Sequence, residues 1–243
     1  MRIEPGTRVV VLHAHPDDET LSTGALLAEL VGTCPVLVVT ATRGERGEIV
    51  PGVLPAATTP AELTRVRQAE LAAALAELGV AEHCFLGSPP ARTPGRPPRH
   101  YSDSGMAWLR PGLAGPAPDA EPSSLALAGV DEPAADLAHL LRLWRAEVLL
   151  SYAADGGYGH PDHVACHAIA GRAAALAGIR LAEFGTGVPP EGASGYEYRE
   201  RLDAVRSALD QYHTQLTRRG DQVVHVGGQT EPVTTAGWLR QLG

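Results

Sequence analysis

Residues 8–21 read R-V-V-V-L-H-A-H-P-D-D-E-T-L, and residues 148–163 read V-L-L-S-Y-A-A-D-G-G-Y-G-H-P-D-H. Each opens on a short apolar run that is cut off by turn residues, the pattern of a strand buried on both faces of a sheet. Each then meets His-Pro-Asp. Proline has a fixed φ that suits the first helical position, so a helix is expected to start just beyond each histidine. Strand, turn and helix start therefore occur twice, with the same three residues at the junction.

Working outward, further strands are expected at Pro35–Thr42, Cys84–Leu86, Arg180–Phe184 and Gln222–Val226. Helical periodicity fills most of the gaps. One helix spans about Glu19 to Val31. A second starts where Thr59, Pro60 and Glu62 supply an N-cap hydroxyl, an N1 proline and an N3 carboxylate, and stops at Gly79. Leu137, Leu140, Leu141 and Trp144 mark a third helix, and His163 to Leu176 a fourth. Tyr198, Leu202, Val205, Leu209, Tyr212 and Leu216 step by three and four and predict one long amphipathic helix, with a short C-terminal helix at the end of the chain. Strands alternating with helices imply right-handed βαβ units. The expected fold is α/β: a single Rossmann-like domain over 1–243, with a mostly parallel sheet flanked by helices. Residues 88–130 hold no period and are rich in Pro, Gly, Ala and Ser, so they read as a substrate-shaping loop insertion whose ordered part is Tyr101 to Trp108.

Composition narrows the chemistry. The 243 residues carry 20 cations against 28 carboxylates, a formal charge of −8, and every cation is Arg. A chain without Lys cannot be a P-loop ATPase, a Schiff-base or PLP enzyme, or a protein kinase. Its acidic balance argues against nucleic acid or an anionic membrane as a partner. No membrane-length apolar run and no signal-like start are present, so a cytoplasmic protein is expected, with homo-oligomerisation left open. Cys34, Cys84 and Cys166 form no CxxC pair and read as buried hydrophobes.

In doubly wound sheets ligands bind beyond the carboxyl ends of the strands, which is where both His-Pro-Asp strings fall. Residues at i and i+3 share a helix face, so His15 with Asp18, and His160 with His163, can converge. Such nitrogen and oxygen donors suit Zn²⁺, whose catalytic sites use three protein ligands and a water. Asp17, between one pair, is placed to act as a general base. Spacing alone leaves open whether His160 or His163 is the ligand.

A-H-P-D-D-E-T-L at Ala14 to Leu21 with G-H-P-D-H at Gly159 to His163 resembles the paired signature of the PIG-L or LmbE-like family of zinc-dependent N-acetylglucosaminyl deacetylases. G-E-R-G-E at Gly44 to Glu48, D-S-G-M at Asp103 to Met106 and H-T-Q at His213 to Gln215 fall in the matching order, and the closest similarity is to the mycothiol-metabolism branch. The resemblance implies His15, Asp18 and His163 as ligands of one Zn²⁺ per chain, with Fe²⁺ an alternative metal. It implies Asp17 as general base and His160, as a cation, as the group that stabilises the oxyanion or protonates the leaving amine, oriented by Asp162. Tyr158 would help polarise the acetyl carbonyl, and Glu48, Arg67 and Asp103 would grip the sugar or its attached group. The implied substrate is a small N-acetylglucosaminyl molecule. A mycothiol S-conjugate amidase, an antibiotic-sugar deacetylase and a non-catalytic metal or sugar-binding module are the alternatives. The last would have no need of a base.

The remaining histidines carry less. His13 reads as buried behind the site, His139 as solvated, and His167 as structural, one turn beyond His163. His83, His100 and His225 have no supporting pattern, and His213 could equally seal the site or pack.

Overall fold

A computed structural model describes residues 1–110 and 113–243. Pro111 and Gly112, inside the expected insertion, lie outside the described residues. The main sheet has seven strands. Strands β1 (Val9–His13), β2 (Val36–Thr40) and β3 (Glu82–Phe85) lie on one side, and β6 (Val148–Tyr152) and β7 (Arg180–Gly185) on the other. With β8 (Ser194–Glu197) and β12 (Ala236–Leu242), the sheet order is β3-β2-β1-β6-β7-β12-β8, and the first five strands are mutually parallel. The two expected strand–turn junctions thus become neighbours, because β1 and β6 pair directly with Val9 opposite Val148. Connections leave these two strands in opposite directions, and that divergence opens a crevice at their carboxyl ends.

Two helical layers cover the sheet. Helix α3 (Asp131–Trp144) packs on α5 (Pro161–Ala177), which follows the single turn α4 (Gly156–Gly159), while α1 (Asp18–Leu30) and α2 (Pro60–Glu77) pack on α6 (Leu202–Leu209). Residues Val9 to Leu12 and Val148 to Leu150 are fully buried between the layers. Each such Val or Leu stabilises the fold by about 1.5–3 kcal/mol. Helix α2 starts as expected: the Thr59 side chain accepts from the Glu62 N–H, and Glu62 accepts from the Thr59 N–H at 2.8 Å. None of the described helices is long and apolar enough to cross a membrane.

Two expectations fail. The stripe from Tyr198 to Leu216 is not one helix. Tyr198 follows strand β8 (Ser194–Glu197) and stacks on Tyr196, α6 covers only Leu202–Leu209, and Leu216 opens strand β9 (Leu216–Arg219). The chain leaves the helix because Glu70 takes both the N–H and the hydroxyl of Thr214, at 2.9 and 2.6 Å. Tyr212 and Leu216 nonetheless stay buried, since the turn faces the same core as the helix. The C-terminal helix is also absent: Ala236–Leu242 forms β12, which pairs antiparallel with β7 and β8. It covers an edge of β7 that would otherwise expose unpaired peptide groups.

Beyond the main sheet, β9, β10 (Gln222–His225) and β11 (Thr230–Pro232) form a three-stranded antiparallel sheet, so the strand expected at Gln222–Val226 stands outside the parallel array. Within 88–130, β4 (Ala107–Arg110) pairs antiparallel with β5 (Leu113–Gly115). The start of this segment is tied to α3 by one carboxylate. Asp136 accepts from Arg92 at 2.7 Å, from the N–H and hydroxyl of Thr93 at 2.8 and 2.7 Å, and from the Tyr101 hydroxyl at 2.9 Å.

Candidate metal centre

The turn after β1 carries His15, Asp17 and Asp18, and the turn after β6 carries Tyr158, His160, Asp162 and His163. The pairing of β1 with β6 brings them together. Asp18 Oδ2 lies 3.2 Å from His15 Nδ1 and 3.2 Å from His163 Nε2. Donors bound about 2.0–2.1 Å from a tetrahedral zinc stand about 3.3 Å apart, so these spacings fit a shared ion. His163 Nδ1 donates to the Gly156 carbonyl at 3.1 Å, which leaves a bare lone pair on Nε2. That Nε2 is buried and has no hydrogen-bond partner, although the Asp18 carboxylate faces it. Nε2 and the carboxylate face each other across a gap that takes one shared cation, either a proton on His163 or a metal ion. The donors therefore fit the implied metal.

The surroundings enforce this arrangement. Tyr152, the last residue of β6, donates its hydroxyl to Asp18 Oδ2 at 2.8 Å and stacks its ring on His163 at 4.1 Å between centroids. Gly156 adopts a positive φ of 65°, and a Cβ there would meet the His163 Cβ at 2.9 Å, so only glycine lets the turn carbonyl reach the imidazole. Asp162, fully buried, accepts from the Ser104 N–H at 2.9 Å and from the Ser104 hydroxyl, and lies 3.2 Å from His15 Nε2. Its carboxylate therefore braces His15. It is the Asp162 backbone N–H that reaches His160, donating to Nδ1 at 3.2 Å and leaving the proton of a neutral imidazole on Nε2. The ring nitrogens of His15, His160 and His163 lie within 4.8 Å of one another, as do donors of His15, Asp103 and Asp162. Asp18 closes on His15 and His163.

Asp17 holds φ 108°, a left-handed conformation that a non-glycine residue adopts only when its surroundings compel it. Glu19 supplies the compulsion. It is fully buried, accepts the Asp17 N–H at 3.1 Å, and accepts the hydroxyls of Tyr212 and Thr20 on its other oxygen. Gln215 donates to the Asp17 carboxylate and to the Pro16 carbonyl. Burial pushes the Asp17 carboxyl well above the usual carboxylate range, and the charges of Asp18 and Glu19 add to the effect. Burial would likewise raise Asp18, but His163 and His15 outweigh it and hold Asp18 well below that range. For His15, burial is outweighed by Asp103, Asp162 and Asp18, which keep it well above an ordinary imidazole. His160 is pulled down to about 3 by burial, with the His15 and His163 rings adding repulsion. The cluster as a whole is a sink for positive charge.

The residues expected to hold the sugar surround this centre unevenly. Asp103 is buried, with Oδ1 3.7 Å from His15 Nε2, and Glu48 is exposed in the same cavity. Arg67 also lines it, but its guanidinium donates to the carbonyls of Gly44, Gly47 and Glu48 and so clamps the G-E-R-G-E loop. Tyr158 is exposed, its ring 5.2 Å from that of His163. The cavity measures about 1070 Å³. His13 sits behind it, fully buried, with Nε2 3.0 Å from the Thr23 hydroxyl, and His167 bonds the Tyr152 carbonyl. His139 is half-buried rather than solvated, His213 is exposed, and His225 reaches the cavity wall. Tyr152, Ser104, Glu19 and Gln215 were not singled out from sequence. For three of them the available signal was a place inside a quoted string, and for Tyr152 a polar residue closing an apolar strand.

Fold and site together define a doubly wound α/β protein with a metal-ready cluster of imidazoles and carboxylates at its switch point. The chain belongs to the PIG-L family, whose model, described as GlcNAc-PI de-N-acetylase, matches residues 10–174. It is 42% identical over 210 residues to the 1D-myo-inositol 2-acetamido-2-deoxy-alpha-D-glucopyranoside deacetylase of Kineococcus radiotolerans, covering 86% of this chain and 56% of the relative. The enzyme of that name numbered 1 in Saccharopolyspora erythraea is 43% identical over 195 residues, covering 79% and 61%. The chain thus spans little more than half the length of these relatives. Among solved structures, the zinc-inhibited form of teicoplanin deacetylase Orf2 aligns at 25% identity with a TM-score of 0.57, covering 85% of this chain and 84% of that one.

Proposed function

We propose that the protein is a zinc-dependent hydrolase that removes the N-acetyl group from an N-acetylglucosaminyl small molecule, releasing acetate and a free amine. One observation carries this reading: the bare Nε2 of His163 faces the Asp18 carboxylate, His15 adjoins it, and a strained Asp17 stands beside all three. His15, Asp18 and His163 would hold the ion, and Fe²⁺ is an alternative the same donors accept. When bound, the cation supplies Lewis-acid polarisation of the amide carbonyl and lowers the pKa of water toward about 7.

The chain's own groups do the rest. Asp17 takes a proton from the attacking water on the oxygen that Gln215 leaves free. Its raised affinity for protons brings it nearer to neutrality, where a general base works best. His160, neutral rather than the cation the resemblance implied, offers its Nε2–H as a hydrogen bond to the developing oxyanion while the Asp162 backbone keeps that tautomer in place, and the proton that Asp17 took from water passes to the departing amine. Tyr158 covers the mouth and can donate to the acetyl carbonyl. Glu48 and Asp103 are acceptors for sugar hydroxyls, and Arg67 acts by holding the loop that carries Glu48. The whole chain works as one unit with the 88–130 segment shaping the substrate, in the cytoplasm, on a small molecule rather than on nucleic acid or membrane.

The test is metal content and acetate release measured together. Parent protein, stripped with chelator and reloaded with zinc, is expected to regain both. His15→Ala and His163→Ala are each expected to lose metal on dialysis. If both variants keep zinc as tightly as the parent, the ligand assignment is wrong.

A further inference from the structure

The proposed base is held by a single donor. Among the described residues, only the Gln215 side-chain amide hydrogen-bonds the Asp17 carboxylate, on Oδ2, and the same NH₂ group also donates to the Pro16 carbonyl. The Gln215 Oε1 is buried without a partner, so those two bonds and the backbone of residue 215 set the amide. That backbone is pinned one residue earlier. Thr214 is fully buried; Glu70 on α2 accepts its N–H at 2.9 Å and its hydroxyl at 2.6 Å, and its carbonyl accepts from the Val50 N–H at 3.0 Å.

Glu70 lies three residues after Arg67, so the two share a face of α2. Arg67 clamps the carbonyls of Gly44, Gly47 and Glu48, and Glu70 clamps Thr214, which ties the G-E-R-G-E loop and the H-T-Q turn to one helix. A shift of that turn would reach Asp17 directly, because no other donor among the described residues holds its carboxylate. Misplacing a reacting group costs rate steeply. Resting on the deacetylase reading above, we propose that Glu70 is a positioning residue of the reaction: it fixes the Thr214–Gln215 backbone, and through the Gln215 amide it aims the free oxygen of Asp17 at the attacking water.

The test uses the full chain loaded with zinc and the methyl glycoside of N-acetylglucosamine. Glu70→Gln and Thr214→Val are each expected to keep parent zinc content and KM and to lower kcat about 10–100-fold. Thr214→Ser, which retains both donors, is expected to stay close to the parent, and the two Thr214 variants carry the comparison should Glu70→Gln not fold. In a Gln215→Ala background, Glu70→Gln is expected to lower kcat no further while still lowering Tm, since the two residues act in series. A loss of kcat undiminished in that background overturns the proposal, as does Thr214→Val with parent kcat. A second readout needs no turnover. With ¹⁵N-labelled glutamine, the Gln215 side-chain amide is identified by its absence from Gln215→Ala; its signals are expected to lie away from those of solvated glutamine in the parent and to return toward them in Glu70→Gln. If those signals respond but the parent releases no acetate, the positioning stands and the deacetylase reading fails. Acetate release from the parent with signals unmoved by Glu70→Gln sinks the positioning alone.

Discussion

At the scale of single residues, two pairs three apart carry the centre, and both lie inside contiguous strings. The pairs His15 with Asp18 and His160 with His163 could be singled out for that reason, since i and i+3 on a helix start converge whatever surrounds them, while the preference for His163 over His160 as ligand came only from the family resemblance. Their supports were out of reach, because they arrive from far away in the chain: Ser104 is 58 residues from Asp162, Tyr152 is 134 from Asp18, and Gln215 is 198 from Asp17. Two predictions belong here. Tyr152→Phe removes the hydroxyl that orients Asp18, and is expected to weaken zinc binding about 10–100-fold in a competition titration with a chelating dye. Unchanged affinity would show that the hydroxyl does not position the ligand. Tyr212→Phe removes a hydrogen bond to the Glu19 carboxylate that holds the strained Asp17 peptide. It is expected to cost about 1.5–3 kcal/mol in denaturant unfolding and to lower kcat while metal content stays at the parent level. A fall in metal content with kcat would point to general damage instead.

At the scale of elements, the parallel half of the sheet followed from apolar runs bounded by turn signals, and α2 from its capping residues. What misled was the three-and-four spacing from Tyr198 to Leu216, because a helix followed by a turn on the same core keeps that spacing without staying helical. β12 was missed since a C-terminal strand gains its reason only from the open edge of β7, which is a property of the assembled sheet. The 88–130 segment, aperiodic in sequence, is anchored instead by side chains converging on Asp136. Burial would raise Asp136, but the bonds from Thr93, Arg92 and Tyr101 outweigh it and hold it below the ordinary carboxylate range. A carboxylate depressed in the folded state contributes stability that is complete above its unfolded value of about 3.9 and is lost as pH falls through the folded value. Acid titration of Tm is therefore expected to be shallower below about pH 4 in Asp136→Asn than in the parent, with the variant destabilised by about 1.5–3 kcal/mol at neutral pH because Arg92 keeps its pairing with Glu132 but loses the charge-assisted hydrogen bond to Asp136. Parallel curves of equal Tm would remove Asp136 from this role.

At the scale of the whole molecule, the strand order places two similar junctions on adjacent parallel strands, so the fold itself assembles the site from segments about 145 residues apart. A cation that binds there only in the folded state must also stabilise the fold. At a hundredfold excess over its Kd, zinc is expected to raise Tm by about 5–10 °C over the chelator-treated protein, and to do so in the parent but not in His163→Ala. The central claim, that these junctions form a deacetylase and not merely a metal store, is tested most directly by Asp17→Asn. Zinc content and acetate released from an N-acetylglucosaminyl glycoside are measured on the same preparations of variant and parent. The account predicts parent-like zinc with acetate release lowered about 10²–10⁴-fold; full zinc with undiminished release would contradict it.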